Sequence, residues 1–251
     1  MRSVARWSGL AALGVLLVVP VQAQTADEVI EKHLAALGGR QALGKLQSRV
    51  SAGTITVSVQ GTEISGPIES YAKAPNKSRT YFRLDLSQFG GAEMVVDQRC
   101  DGKTGFAGNS VQGDREITGN RLQTMLNASF PTPLLNYKEA GAKVELVGKD
   151  KVVARDAYVV RYIPKAGWIV TQSFDAETYL LLRMVLKVDA PEAGGEIEET
   201  VDPSDYREVD GVKVPFTVKV VNPMQSLTIT FTKVEHNKPI DEGMFSKPAA
   251  K

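Results

Sequence analysis

The residues that could do chemistry in this chain are few and far apart. Its two histidines are His33 and His236, and its single cysteine is Cys100. A metal site needs several His, Cys or carboxylate ligands at close spacing, which these residues do not offer. The pattern favours packing or surface histidines and a structural cysteine at the end of a strand. We therefore predict no catalytic residue, no metal site and no cofactor.

Other catalytic patterns are missing too. No serine stands in a Gly-x-Ser-x-Gly elbow, and the chain has no phosphate-binding loop or dinucleotide fingerprint. Glu196, Glu198 and Glu199 follow one another along a predicted strand and are typical of a solvated face. No feature selects a carboxylate pair for hydrolysis. The sequence favours a protein that is not an enzyme, and a hydrolase without a recognisable motif stays as an alternative.

The composition is that of an ordinary globular protein. The chain has 251 residues, 30 of them basic and 29 acidic, with a net charge of +1. This balance gives no reason to propose a nucleic-acid partner. Hydrophobic residues make up 43% of the chain, and no linker or repeat divides it. We predict one folded domain over residues 24–251.

The first 23 residues have the pattern of a secretory signal peptide. Arg2 and Arg6 precede the apolar run "LAALGVLLVVPV", and "VQA" supplies small residues for cleavage after Ala23. The apolar run is too short to span a bilayer. A lipoprotein would need a cysteine where Gln24 stands, and Cys100 is remote. We predict an exported, periplasmic, soluble protein that carries no lipid anchor.

Helical patterns are short. The run 26–37 has a capping box, Thr25 with Glu28, an apolar stripe and a stop at Gly38 and Gly39. A helical turn is predicted in "RQALGKL" and a short amphipathic helix at 121–127. These helices can cover one face of a sheet.

Most of the chain alternates with a period of two, which predicts strands. In "GVKVPFTVKVV" the valines from Val212 to Val220 share one side with Phe216, and Lys213 and Lys219 lie on the other. Asp210-Gly211 predicts a two-residue hairpin with Val209 facing Val212, and Asp175 to Thr178 predicts another turn. Strands are predicted from Ser48 and at 63–73, 78–86, 93–99, 104–108, 142–149, 155–164, 168–175, 179–189, 195–208, 212–221 and 225–235.

About ten such strands in one sheet must curl or close. We predict a mainly β (α+β) fold: one curved, incompletely closed antiparallel barrel or sheet whose concave face is covered by short helices. Alternation alone establishes only that one face is buried against apolar material.

Several segments resemble exported proteins of the outer-membrane lipoprotein carrier superfamily, the LolA/LolB-like group that includes outer-membrane lipoprotein-sorting proteins. They are "ADEVIEKHLAALGGRQALGKLQS", "DGKTGF", "FDAETYLLLR", "DYREVDGVKVPFTV" and "ITFTKVEHNKPIDEGMF". The resemblance implies an open, curved sheet with helices over its concave side and acyl chains held between them. The missing lipid anchor fits the soluble carrier type better than the anchored receptor type.

Because of this resemblance, ten apolar residues are candidates for lining a ligand cavity. The segment around Pro131 and Pro133 is predicted to be extended and exposed, like a lid or a contact loop. A dry, filled core is the alternative for the same residues. The candidate set is Val57, Val59, Phe106, Met125, Phe130, Leu134, Leu135, Phe216, Val218 and Phe231.

The resemblance implies a periplasmic carrier or binding protein for a lipid or lipoprotein acyl chain, working in lipoprotein sorting or envelope lipid transport. Its partners would be the acyl chain and a membrane-associated donor or acceptor protein. We expect a monomer. The alternative is a non-enzymatic envelope protein-interaction module with the same fold and a filled core.

Overall fold

The computed structural model describes residues 24–190 and 194–248, so the predicted signal peptide lies outside the described residues. None of the helices in those two ranges is long and apolar enough to cross a membrane. The helices are α1 (Ala26–Ala36), α2 (Arg40–Gly44) and α3 (Gly119–Asn127), with short 3-10 turns at Ser87–Phe89, Pro133–Leu135 and Glu242–Met244. The strands are β1 (Ser48–Val59), β2 (Thr62–Lys73), β3 (Lys77–Asp85), β4 (Glu93–Cys100), β5 (Gly105–Asn109), β6 (Arg115–Ile117), β7 (Lys143–Val152), β8 (Arg155–Ile163), β9 (Val170–Asp175), β10 (Leu181–Ala190), β11 (Gly195–Val209), β12 (Val212–Val221) and β13 (Ser226–His236).

These strands form one antiparallel sheet in the order β6-β5-β4-β3-β2-β1-β13-β12-β11-β10-β9-β8-β7. The first six strands run outward from the middle as a meander, and the last seven run back to it. The two meanders join where β1 pairs with β13. The edge strands β6 and β7 are connected through α3 and do not pair, so the sheet does not close. The predicted mainly β, incompletely closed architecture is confirmed.

Helix α1 begins and ends as the sequence predicts. The Thr25 side chain accepts a hydrogen bond from the Glu28 amide, and the Glu28 carboxylate accepts one from the Thr25 amide. Such a box satisfies two amides that a helix N-terminus leaves unpaired. Leu37 ends the helix, and Gly38 follows with φ +126°. A Cβ on Gly38 would lie 2.4 Å from the Gly211 carbonyl oxygen, so only glycine allows this close packing.

The Asp210-Gly211 hairpin is confirmed. Both residues have positive φ, +52° and +78°, as a type I′ turn requires. Val209 and Val212 face each other across β11 and β12. Along β12, Val212, Val214 and Phe216 are buried while Lys213 and Lys219 are exposed. The alternation of this strand therefore corresponds to a buried and a solvated face.

Two details of the sequence prediction were wrong. The described residues contain thirteen strands, one more than the twelve predicted ranges, and β6 was missed because three residues are too few to show a period of two. The segment after Pro131 is not an exposed, extended turn. Pro133–Leu135 forms a 3-10 turn in which Leu134 is only 1% exposed, because its side chain packs into the core.

The core consists of two apolar clusters. The larger lies between the helices and the C-terminal strands and contains Val29, Ile30 and Leu34 of α1, each 0% exposed. Burying a side chain of this size stabilises the fold by about 1.5–3 kcal/mol. The smaller cluster is formed on β1 to β3 by Ile55, Val57, Ile68 and Leu84. Helix α1 is therefore held on the sheet chiefly by burial.

Candidate ligand pocket

A pocket of about 180 Å³ lies between α1, α2, the C-terminal strands and the loop at 130–132. Ligand pockets for drug-sized molecules usually measure about 300–1,000 Å³. In this conformation the pocket therefore has room for only part of a long ligand. Its lining residues are His33, Leu37, Leu43, Leu46, Arg49, Phe130, Pro131, Thr132, Leu181, Pro203, Tyr206, Val212, Lys213, Val214, Pro215 and His236.

The floor of the pocket follows from the alternation of β12. Val212 and Val214 point to the buried side of this strand, and both line the pocket. The chain enters β12 beside the end of α1, where the Lys213 amide donates a 2.8 Å hydrogen bond to the Leu37 carbonyl. This bond fixes the helix end to the strand, so the apolar wall and the floor of the pocket form one rigid corner.

His33 joins α1 to the turn before β10. Its Nδ1 lies 2.8 Å from the Tyr179 carbonyl oxygen, and since a carbonyl only accepts, Nδ1 carries a proton and donates. The ring centroid of His33 is 4.6 Å from that of Phe174. Burial lowers the pKa of His33 to about 4, although the bond to Tyr179 opposes this shift. His33 is therefore a neutral anchor at pH 7.

His236 lies at the end of β13 and is also buried. Its Nδ1 is 3.2 Å from a carboxylate oxygen of Asp210 in the β11–β12 hairpin. Burial lowers the pKa of His236; the bond to Asp210 opposes this shift, and the positive charge of Arg49 adds to it. The second histidine therefore borders the same pocket as the first and is also neutral at pH 7.

Arg49 lies on β1 directly opposite His236 of β13. Its guanidinium is 5.8 Å from the centre of the Phe130 ring. Among residues 24–190 and 194–248, no carboxylate pairs with this guanidinium and no carbonyl accepts a hydrogen bond from it. Burial lowers the pKa of Arg49. Arg49 is half-buried, and a cation that is withdrawn from water to this extent is usually paired with an anion.

The loop carrying Phe130, Pro131 and Thr132 forms one side of the pocket. The Phe130 amide donates a 2.7 Å hydrogen bond to the Pro75 carbonyl. Just beyond the loop, the Leu135 carbonyl accepts a 2.6 Å hydrogen bond from Arg40 of α2. The loop is thus attached to the sheet on one side and to the helices on the other.

The structure places the ten predicted cavity residues in several regions, and of these Phe130 lines the pocket. Leu134, Leu135, Phe216 and Phe231 belong to the larger core cluster around it. The remaining five lie elsewhere: Val57 in the smaller cluster, Phe106 buried on β5, Met125 half-buried on α3, Val218 half-buried on β12, and Val59 43% exposed at the end of β1. A role in ligand binding stays a prediction for all ten.

We did not predict the polar residues of the pocket, among them His33, His236 and Arg49. The two histidines were treated as unrelated because they stand near opposite ends of the chain. Arg49 carried a usable signal. It shares the alternation of Ile55 and Val57, which are buried, so a basic residue stands on the apolar side of β1.

The other candidates for chemistry lie outside the pocket. Cys100 is 0% exposed, and burial raises the pKa of its thiol, which disfavours the reactive thiolate. Glu196 and Glu198 are exposed on β11, where Glu196 accepts a hydrogen bond from Trp168. The described residues 24–190 and 194–248 hold no group of three or more His, Cys, Asp or Glu side chains that could bind a metal.

The chain folds as an open antiparallel sheet with helices on one face and a pocket beneath them. Three solved structures have a similar fold at low sequence identity. A LolA superfamily protein from Nitrosomonas europaea is 12% identical and matches with a TM-score of 0.56, over 90% of this chain and 99% of the other. A DUF1329 family protein from Desulfovibrio piger is 13% identical and matches with a TM-score of 0.55, over 88% and 97%.

The third, a Vibrio parahaemolyticus domain named for outer-membrane lipoprotein sorting, is 10% identical and matches with a TM-score of 0.53, over 88% of this chain and 95% of the other. No family profile and no curated protein sequence matches the chain. Identities this low establish the fold alone. The chain has a LolA-like fold, as its sequence segments indicated.

Proposed function

We propose that this protein is a periplasmic carrier that binds the acyl chain of a lipid or lipoprotein and shields it from water. The observation that carries the proposal is the pocket itself. It has an apolar wall from α1 and α2, an apolar floor from β12 and a loop that can cover it, in a LolA-like fold. These are the features that a reversible acyl-chain site needs.

The driving force is burial of hydrocarbon. Each methylene moved from water into an apolar site contributes about 0.8 kcal/mol, so ten methylenes contribute about 8 kcal/mol. Binding therefore needs no covalent bond between the protein and the ligand. Release then requires an acceptor protein or a membrane that buries the same chain at least as well.

The small resting volume means that something must move when a long chain enters. Moving α1 would expose Val29, Ile30 and Leu34, which costs about 5–9 kcal/mol at about 1.5–3 kcal/mol for each side chain. Moving the loop at Phe130 breaks one backbone hydrogen bond and one cation–π contact, about 2 kcal/mol together, and further exposes the Phe130 ring, which is already partly exposed. The loop is therefore the gate in this proposal, and α1 stays in place.

Export to the periplasm and a membrane-associated donor or acceptor protein complete the proposed pathway. The signal-peptide pattern that ends at Ala23 supports export, and Gln24 at the cleavage position supports a carrier without a lipid anchor. We propose that the carrier acts as a monomer.

The volume of about 180 Å³ also supports a second candidate function. In it the pocket is a packing defect in a filled core, and the protein binds an envelope protein through its surface. The two candidates differ in one measurable property. Only the carrier binds an acyl chain in the pocket, and its affinity falls when a larger side chain fills the space beneath the helices.

Uptake of a fluorescent fatty acid by delipidated protein tests the proposal. We expect Val214→Phe, which fills the pocket floor, to weaken binding at least tenfold. Val221→Phe is the matched control because Val221 lies on the same strand and is 38% exposed. Thermal unfolding of both variants shows whether the fold survives. Equal binding by both folded variants would contradict a site in this pocket.

A further inference from the structure

The charged residues that line the pocket are all of one sign. Arg49 and Lys213 line it, and none of its lining residues is an aspartate or a glutamate. His33 and His236 add no charge, since burial keeps the pKa of each below its ordinary value. Lys213 is exposed and lies opposite Glu208 in the neighbouring strand. Arg49 is the half-buried cation of the pocket, and no carboxylate pairs with it among residues 24–190 and 194–248.

The surroundings of Arg49 do not explain why an arginine stands there. Withdrawing a guanidinium even partly from water costs free energy unless an anion or good hydrogen bonds compensate. A contact with the Phe130 ring at 5.8 Å contributes only about 0.5–2 kcal/mol. An apolar residue would fill the same position on the buried side of β1 without this cost. The arginine is therefore better explained by a ligand than by stability.

Resting on the proposed carrier function, we infer that Arg49 binds an oxyanion at the end of the acyl chain, so that this pocket selects anionic amphiphiles over neutral ones. The guanidinium presents a planar fork that matches a carboxylate or a phosphate with two hydrogen bonds. The chain then lies along Leu37, Leu43, Leu46 and Val214. Phe130 covers the charged end and keeps water away from it.

The structure contains a matched comparison for this role. Arg207 also lies over a phenylalanine ring, that of Phe216, at 4.4 Å. However, Arg207 pairs with Asp205 at 2.6 Å, and its side chain is 54% exposed. Arg207 is therefore stacked on a ring as Arg49 is, but its charge is already paired. We do not expect it to bind an anion.

Calorimetric titration of the delipidated mature chain at pH 8 tests this inference with four probes: decanoate, decyl phosphate, decanol and inorganic phosphate. We expect decanoate or decyl phosphate to bind at least tenfold more tightly than decanol. The stronger of the two acids identifies the preferred oxyanion. Inorganic phosphate should not bind measurably, because it brings no chain to bury. Phosphate that binds as tightly as decyl phosphate would overturn the inference.

Variants then test whether Arg49 causes the tighter binding of acids than of decanol. Arg49→Gln should weaken binding of the acids at least tenfold and change decanol binding much less, so that the preference for the acids is lost. Arg49→Lys should keep part of it, because the charge stays and the fork is lost. Arg207→Gln should keep all of it. An acid preference that survives in Arg49→Gln would overturn the inference.

The outcomes separate this inference from the carrier function. If the wild type binds decanol as tightly as decanoate, the carrier function stands and the role of Arg49 falls. If it binds none of the chain-bearing probes, both fall. Thermal unfolding adds a readout that does not depend on ligand. Without ligand, Arg49→Met should unfold no earlier than the wild type, because an unpaired charge is removed; a clear loss of stability would mean that Arg49 is structural.

Discussion

Arg49 and His236 face each other directly across β1 and β13, the strands that join the two meanders of the sheet. Both line the same pocket, one as a cation without a carboxylate partner and the other as a buried imidazole bonded to Asp210. The strand pairing that completes the sheet therefore also assembles the polar part of the pocket.

The free energy of unfolding should fall in mild acid because His33 is buried in its neutral form. Because burial lowers its pKa to about 4 from an ordinary value of 6.5, the unfolded chain takes up a proton over this range before the folded protein does. Stability contributed by His33 is complete above pH 6.5 and is lost as the pH falls toward 4. The loss amounts to about 3 kcal/mol.

Urea unfolding across this pH range measures the effect. His33→Asn is the comparison, because its side-chain amide can still donate to the Tyr179 carbonyl but does not titrate. The wild type should lose more stability than this variant between pH 6.5 and 4. Parallel stability curves for the two proteins would contradict a buried, neutral His33.

Gly38 should be essential for the contact between α1 and the hairpin. Alanine there places a Cβ 2.4 Å from the Gly211 carbonyl oxygen at φ +126°, so Gly38→Ala should cost more than about 2 kcal/mol. Gly44 of α2 is the control because nothing lies within 4 Å of its Cβ position. Gly44→Ala should stabilise the protein by up to about 1 kcal/mol. Equal unfolding midpoints would contradict the packing described.

Asp97 should stabilise the sheet far more than a surface carboxylate does. It pairs with Arg79 at 2.8 Å and Arg99 at 2.7 Å, and all three side chains are no more than 14% exposed. Burial opposes ionisation, but the hydrogen bonds from both arginines hold the pKa of Asp97 below its ordinary value. Asp97→Asn leaves two arginines without their anion and should cost about 3–5 kcal/mol.

The exposed pair of Asp205 and Arg207 provides the control for this change. Asp205→Asn should cost less than about 1 kcal/mol, since exposed pairs contribute little and asparagine tolerates the positive φ of this position. Chemical denaturation of both variants decides the point. A similar small loss in both would show that Asp97 is no more important than a surface group.

Phe130→Ala should make the pocket easier to enter and to leave. The ring covers one side of the pocket, and removing it deletes the contact with Arg49. Association and dissociation rates of a fluorescent fatty acid should both rise in stopped-flow measurements, with a smaller change in affinity. Phe89→Ala is the control because Phe89 is 55% exposed and does not line the pocket. Unchanged rates in Phe130→Ala would contradict a gate at this loop.

Local features of the fold could be predicted because their causes are local. Thr25 and Glu28 form a capping box within four residues, and Asp210 and Gly211 form a turn that depends on their own backbone preferences. The buried and exposed sides of β12 follow from its alternation alone. β6 has too few residues to show such a pattern. Leu134 was predicted to be exposed because prolines stand near it in the sequence, but its side chain is buried in the core.

The pocket could not be predicted because it depends on long-range pairing. His33 and His236 come together only when β13 returns to β1 and α1 settles on β12. Nothing near either histidine in the sequence indicates the other. Arg49 was the exception, since a charge on the apolar side of a strand is visible in the sequence. The apolar candidates were chosen for their residue type, which does not distinguish the wall of a pocket from the core behind it.

Native mass spectrometry of the mature protein, isolated from its producing cells without detergent, tests the carrier function most directly. We expect protein that carries one acyl-chain ligand, recovered by solvent extraction, with Val214→Phe carrying markedly less than Val221→Phe. Ligand-free protein that also takes up no added fatty acid would contradict the carrier function, and would mean that the space between α1 and β12 is part of a filled core.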